Sequence, residues 1–120
     1  MYQKARFFSD EEAAAKILAQ KDPKETKKLG RLVKNFDAIA WDVVGYHQMI
    51  FVNRFKYQQN KTFSDVLRET RASILVEASP YDKIWGVGLA EENDLILNEN
   101  NWLGKNLLGK ALMEVRLGLV

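Results

Sequence analysis

The spacing of apolar residues along the chain predicts a series of helices. In the middle of the sequence, apolar positions recur at the three- and four-residue steps of an α-helix. They are Ala40, Val43, Val44, His47, Ile50 and Phe51. Asp37 stands just before them and is the predicted N-cap. We expect this segment to form the longest helix.

Three shorter helices are predicted before it. Residues 1–5 resemble the interior of a helix. Ser9 and Glu12 have the spacing of a capping box that begins a second helix. Asp22-Pro23 supplies an N-cap and a proline at the first helical position of a third, which Gly30 would end.

Two more helices are predicted after the long one. Thr62, with Asp65 three residues later, would cap a helix that continues toward Thr70. The last helix should begin near Gly104 or Lys105. Its apolar positions, which we expect to be buried, are Leu108, Ala111, Leu112, Val115 and Leu119.

Two segments are typical of short strands. The run "SILVEA" at residues 73–78 has the length and the branched residues of a buried strand, and "LILN" at residues 95–98 resembles a shorter one. Strands among so many helices predict a predominantly helical α+β fold. The length of 120 residues, without a linker or a repeat, predicts one compact domain over residues 1–120.

The composition of the chain limits the classes of ligand and site that we expect. The 18 basic and 16 acidic residues are spread along the chain, so no broad nucleic-acid surface is expected, whereas a small anionic ligand fits. The chain has no cysteine and one histidine, so we expect no disulfide, no metal site and no cofactor. The uncharged runs are shorter than the roughly 20 residues of a membrane helix. A cytoplasmic protein is therefore expected.

Asp82 is the first candidate for chemistry. It follows a Ser-Pro break after a buried strand-like run, where a rigid element holds a loop, and functional groups are frequent in loops of this kind. The alternative is that Asp82 only caps a turn, which is the usual role of aspartate there. Trp85 lies three residues after Asp82, and Trp102 lies just before the predicted last helix.

Trp41 on the long helix precedes Gly45 by one turn. A glycine inside a helix costs about 1 kcal/mol relative to alanine, which indicates a need for space. The indole could therefore offer a surface for a flat ring. Packing against a neighbouring helix is the alternative.

The start of the last helix is a candidate anion site. Asparagines, glycines and Lys105 precede it, and unpaired N–H groups at a helix start favour anions. Capping by asparagine is the alternative. Further candidate phosphate partners are Lys4, Arg31 and Lys56, while His47 is expected to be a partly buried packing residue.

These features resemble the YbiA-like, or NADAR, family. The matching segments cover most of the chain, and "EASPYDKIWGVGL" with the downstream helix is the most specific part. In order they are "YQKARFF", "KKLGR", "FDAIAWD", "KYQQN", "LVEASPYDKIWGVGL" and "NNWLGKNLLGKALMEVR".

The resemblance implies hydrolysis of an N-glycosidic bond between a ribose and a base or amine. The implied substrates are phosphorylated intermediates of the riboflavin pathway or ADP-ribose attached to a nucleobase. Asp82 would stabilise positive charge on the sugar, without a metal. Trp41, Trp85 and Trp102 would contact the ligand. Hydroxyls and phosphate would be held by Lys4, Lys56, Asn60, Gly104 and Asn106.

The chain departs from the family pattern in two ways. Family members carry a catalytic-looking glutamate upstream of "YQKA", which this sequence does not include, and Glu11 and Glu12 lie too far downstream to replace it. Gly45 stands where relatives tend to have a basic residue. The alternatives are therefore an N-glycosidase, a weakened or inactive module that binds ADP-ribose or a related nucleotide sugar, and a fragment completed by a partner. We expect a monomer or a small homo-oligomer.

Overall fold

The computed structural model describes residues 1–119 and divides the chain into two compact units. The first unit spans residues 1–48 and the second begins at Met49. The boundary falls within the longest helix. The prediction of one domain over residues 1–120 stays a prediction.

Helices form the regular structure of the described residues. The α-helices are α1 (Tyr2–Phe7), α2 (Glu11–Ala19), α3 (Pro23–Arg31), α4 (Ala38–Gln58), α5 (Lys61–Glu69) and α6 (Leu107–Leu117). Two 3₁₀ helices, Asp94–Leu97 and Glu99–Asn101, precede α6. Residues 1–119 contain no strand, so the α+β prediction is wrong. Across the same residues, no helix has the length and apolar character needed to cross a membrane.

The predicted strand at residues 73–78 is an irregular segment. Its backbone N–H and carbonyl groups form hydrogen bonds with the Asn106 side chain and with the backbone of Val87, rather than with another strand. The Asn106 carboxamide donates to the carbonyl of Leu75 and accepts from the N–H of Glu77, at 2.9 Å each. The Glu77 carbonyl accepts from the N–H of Val87 at 3.0 Å. The predicted burial is wrong as well, because the β-branched Ile74 and Val76 are exposed and Leu75 is half-buried. A strand also needs a partner strand, which this run does not have within residues 1–119.

The second predicted strand, residues 95–98, overlaps a 3₁₀ helix. The Asn93 side chain accepts from the N–H of Leu95 at 3.0 Å, and the Asn98 side chain accepts from the N–H of Asn100 at 3.0 Å. Asparagine caps of this kind favour tight turns over extended backbone.

The helix caps agree in part with the sequence. Asp22 caps α3, and the Asp37 carboxylate accepts from the N–H groups at the start of α4, as predicted. The other two predicted caps are wrong, because Asp10 caps α2 and Asn60 caps α5. Ser9 has a φ of 56°, outside the extended region that an N-cap usually adopts.

The core of the first unit lies among α1, α2 and the end of α3. Ala5, Ala14, Ile17 and Val33 are its buried residues. The buried Asp10 carboxylate accepts from the N–H of Ala13 and, with its other oxygen, from the N–H of Lys34. One side chain therefore caps α2 and holds the segment after α3.

The core of the second unit contains Leu67, Val115 and Leu119, with Leu75 packed against it. The positions predicted to be buried in and just after α6 are covered in part: Ala111, Val115 and Leu119 are buried, and Leu108 and Leu112 are half-buried.

His47 differs from its prediction. Its side chain is exposed, next to the ring of Tyr46. The apolar spacing of α4 therefore did not predict which face of the helix is covered.

Candidate functional site

Asp82 lies half-buried on the turn that follows Pro80. Its Oδ1 accepts from the N–H groups of Ile84, at 3.0 Å, and Trp85, at 2.8 Å. Its own N–H donates to the Ser79 hydroxyl at 3.2 Å. The carboxylate therefore does cap the turn, and the cap also fixes the direction of the carboxyl group.

The second oxygen of Asp82 is placed differently. Within residues 1–119, the hydrogen bonds of this carboxylate all use Oδ1. Oδ2 thus has no hydrogen-bond partner among the described residues. An oriented carboxylate with one unpaired oxygen at a partly exposed position can accept a hydrogen bond from water or stabilise a nearby positive charge.

The Asp82 turn is bonded to the start of α6 through a ladder of backbone hydrogen bonds. Carbonyls of residues 83–86 accept from N–H groups of residues 105–108, at 2.9 to 3.2 Å. The donor–acceptor pairs are Lys105–Lys83, Asn106–Gly86, Leu107–Ile84 and Leu108–Trp85. These N–H groups are therefore already donated to the protein. An anion at this helix start could not use these four N–H groups without breaking the contact with the turn.

Two glycines allow this close approach. A Cβ at Gly104 would lie 2.3 Å from the carbonyl oxygen of Gly86 and 2.8 Å from the Cα of Lys83. A Cβ at Gly86 would lie 2.7 Å from the Asp82 carbonyl and 3.0 Å from that of Glu77. Since these neighbours are backbone atoms, the turn can pack this way only where the side chain is absent.

The two tryptophans of the second unit have different environments. Trp85 is half-buried, and its backbone N–H donates to the Asp82 carboxylate. The indole of Trp102 donates to the carbonyl of Ile96 at 2.9 Å. Trp102 therefore holds a 3₁₀ helix, while Trp85 lies three residues after the acid, on the same turn. Their contact with a ligand stays a prediction.

Glu77 is a candidate that the sequence reading missed. It lines an open cavity of about 560 Å³ within the second unit, together with Val76, Ala78, Glu91, Ile96 and Leu97. Asp82 is not among these lining residues. The sequence does contain a signal for Glu77, because this acid interrupts the apolar run just before the Asp82 turn.

Lys56 and Asn60 lie at the junction of α4 and α5. The exposed Lys56 ammonium lies over the ring of Phe63, 5.5 Å from its centroid, beside a groove of about 350 Å³. The side-chain Oδ1 of Asn60 accepts from the N–H of Phe63 at 3.2 Å. Asn60 is thus a helix cap, and its amide nitrogen is the group that could still meet a ligand.

Lys4 and Trp41 belong to the first unit. The Lys4 ammonium donates to the carbonyl of Gly30 at 2.8 Å and lies over the ring of Phe36. Burial lowers the pKa of Lys4 below its usual range. Lys4 therefore already has a carbonyl partner, and its contact with a ligand stays a prediction.

The Trp41 indole packs near Phe7 and Phe8, with ring centroids 6.0 and 6.2 Å away. A Cβ at Gly45 would lie 3.2 Å from this indole. Gly45 therefore makes room for Trp41 itself.

Comparison with known sequences identifies the family of this chain. The NADAR domain family matches residues 1–120. The chain is 42% identical to N-glycosidase R617 of Acanthamoeba polyphaga mimivirus, over 97% of this chain and 68% of that one. It is 33% identical to N-glycosidase Npun_R5314 of Nostoc punctiforme, over 96% and 68%. It is 29% identical to riboflavin biosynthesis protein PYRR of Zea mays, over 96% of this chain and 18% of the maize protein.

The chain therefore belongs to the NADAR domain family. The resemblance in the sequence is confirmed. Relatives named N-glycosidases support a hydrolase that acts on glycosidic bonds.

Proposed function

We propose that this chain hydrolyses the N-glycosidic bond of a phosphorylated ribosyl compound, with Asp82 as the catalytic carboxylate. The observation that carries the proposal is the Asp82 turn, where two backbone N–H groups hold Oδ1 and no group of residues 1–119 bonds to Oδ2. The names of the viral and cyanobacterial relatives support the same class of reaction.

The proposed reaction needs few groups. When the bond between the anomeric carbon and nitrogen breaks, its electron pair leaves with the nitrogen, which takes up a proton, and positive charge develops on the sugar. The Asp82 Oδ2 stabilises that charge or orients the water that attacks the anomeric carbon. Because Oδ1 is already held by the turn, the carboxylate needs little reorganisation during the reaction.

Predicted site residues of the second unit are assigned supporting roles in this proposal. Trp85 contacts the leaving heterocycle. Lys56 binds phosphate through its ammonium group. Asn60 binds hydroxyls through its amide. Trp102 and Gly104 shape the wall of the site next to the turn, since the glycine lets the backbone approach closely.

Two substrate classes fit this proposal. The first is a ribosylaminopyrimidine phosphate of the riboflavin pathway, supported by the name of the maize relative. The second is an ADP-ribosylated nucleobase. Both present a ribose whose anomeric carbon carries nitrogen, together with at least one phosphate.

A turnover assay tests the proposal. The purified protein is mixed with ribosylaminopyrimidine phosphate or an ADP-ribosylated base, and release of the sugar phosphate is followed by chromatography. Asp82→Asn keeps an oxygen that can cap the turn but removes the charge. We expect it to lower the rate by at least about 100-fold.

Asp94→Asn is the matched control, because Asp94 is an exposed acid on a 3₁₀ helix. It should keep the wild-type rate. Absence of turnover on both substrates, or equal rates for wild type and Asp82→Asn, would contradict the proposal.

The second candidate function is a non-catalytic module that binds ADP-ribose. The observation that favours it is that the Asp82 carboxylate already has a structural role as a cap. Calorimetric titration separates the two functions. Tight binding of ADP-ribose without any turnover supports the module, and turnover excludes it.

A further inference from the structure

We infer that Asn106 is the positioning residue of the Asp82 turn. This inference rests on the proposed function for its catalytic consequence, but the geometry stands by itself. Asn106 is 1% exposed and adopts the left-handed conformation, with φ at 54°. A backbone conformation that non-glycine residues rarely adopt persists only where the surrounding contacts fix it.

The Asn106 side chain replaces a neighbouring strand. Its Nδ2 donates to the Leu75 carbonyl, and its Oδ1 accepts from the N–H of Glu77, each at 2.9 Å. Both polar atoms of the carboxamide are therefore used inside the protein. Since the side chain is also buried, it holds the chain that leads to the acid and does not touch a ligand.

The backbone of Asn106 holds the other end of the same loop. Its N–H donates to the Gly86 carbonyl at 3.0 Å, so one residue is bonded both to Glu77, before Asp82, and to Gly86, after it. The Val87 N–H closes the base of the loop by donating to the Glu77 carbonyl. Asn106 thus determines the position of both ends of the loop that presents the carboxylate.

The absence of a side chain at Gly109 leaves space for the Asn106 carboxamide. A Cβ there would lie 2.1 Å from the Leu75 carbonyl oxygen and 2.5 Å from the Asn106 Nδ2. Any side chain at position 109 would therefore displace the hydrogen bond between them. The glycine one turn into α6 leaves room for the carboxamide.

Hydrogen exchange, measured by NMR at single amides, tests the inference without any substrate. Asn106→Gly removes the carboxamide while still allowing the left-handed backbone. We expect the N–H of Glu77 to exchange about tenfold faster or more in this variant, since it loses its acceptor. The N–H of Trp85, whose acceptor is Asp82, should also exchange about tenfold faster, because the loop loosens. Amides of α5 should change less than these two.

Two further variants complete the comparison. Asn106→Asp keeps an acceptor for Glu77 but places an oxygen against the Leu75 carbonyl, so it should give a smaller increase at Trp85 and serves if Asn106→Gly does not fold. Asn101→Ala is the matched control, because the exposed Asn101 also donates to a carbonyl, that of Leu95. It should leave exchange at Trp85 unchanged.

Kinetics then connect the loop to catalysis. In Asn106→Gly we expect kcat to fall by about 100-fold while KM changes by less than about threefold, as is typical when a catalytic group is misplaced in a site that still binds. Wild-type protection at Trp85 in Asn106→Gly and Asn106→Asp, or an increase equal to that across α5, overturns the inference. If the wild-type protein shows no turnover, the proposed function fails, and the exchange result still decides the role of Asn106.

Discussion

Replacing Gly104 with alanine should destabilise the second unit, because the added methyl group meets the backbone of the Asp82 turn. The new Cβ would lie 2.3 Å from the Gly86 oxygen, 2.8 Å from the Lys83 Cα and 2.9 Å from the Lys83 oxygen. All three are backbone atoms, so no side chain can rotate away. The φ of Gly104 is not positive, and the conflict is therefore one of space alone.

The magnitude follows from what must move. Overpacking by one methyl group in a rigid site costs about 1–3 kcal/mol. Relief requires the turn to separate from residues 104–106, which weakens the bonds from Lys105 to Lys83 and from Asn106 to Gly86. Each contributes about 0.5–1.5 kcal/mol. The expected loss is about 2–6 kcal/mol, or roughly 8–24 °C in Tm for a chain of this size.

Thermal unfolding followed by circular dichroism measures this loss. Gly118→Ala is the matched control, since a Cβ there would meet only the Val115 oxygen, at 3.5 Å. Its effect should lie within about 1 kcal/mol of zero. If Gly104→Ala and Gly118→Ala unfold at the same temperature, the close packing of the Asp82 turn on the start of α6 is wrong.

Two further predictions concern single side chains. Arg116→Leu removes hydrogen bonds of 2.8 Å to the Thr70 hydroxyl and 2.9 Å to the Ser73 carbonyl, so urea unfolding should show a loss of about 1–3 kcal/mol, and an unchanged midpoint would contradict this. The backbone N–H of Lys34 lowers the pKa of Asp10, so Asp10 stabilises the fold above its ordinary pKa and this contribution is lost as the pH falls through the lowered value. Unfolding measured from about pH 5 to about pH 2 should therefore depend less on pH in Asp10→Asn than in wild type, and identical slopes would refute this.

The sequence predicted the helices because their signals are local. Asp22 and Asp37 precede helical spacing and cap α3 and α4 as expected. The predicted strand failed because β-branched residues indicate only a preference for extended backbone, whereas a strand also needs a neighbouring strand, and Ile74 and Val76 are in fact exposed. The neighbour at residues 75–77 is the side chain of Asn106, and its distance along the chain hides it from any local pattern.

The sequence indicated Asp82 as the candidate acid, but it did not predict the contacts that surround this residue. Asp82 stood out because Ser-Pro ends the apolar run before it. That the N–H groups at the start of α6 are donated to the turn depends on contacts between distant segments, which spacing does not encode. Trp41 illustrates the same limit, since Gly45 accommodates that indole itself.

Cleavage of the glycosidic bond in a single turnover tests the central claim most directly. Enzyme in excess over ribosylaminopyrimidine phosphate, quenched at short times, reports bond breaking without contributions from product release. Wild type should convert the bound substrate to equimolar sugar phosphate and free base, and Asp82→Asn at saturating concentration should do so at least about 100-fold more slowly. Equal single-turnover rate constants for the two proteins would contradict the assignment of Asp82 as the catalytic carboxylate.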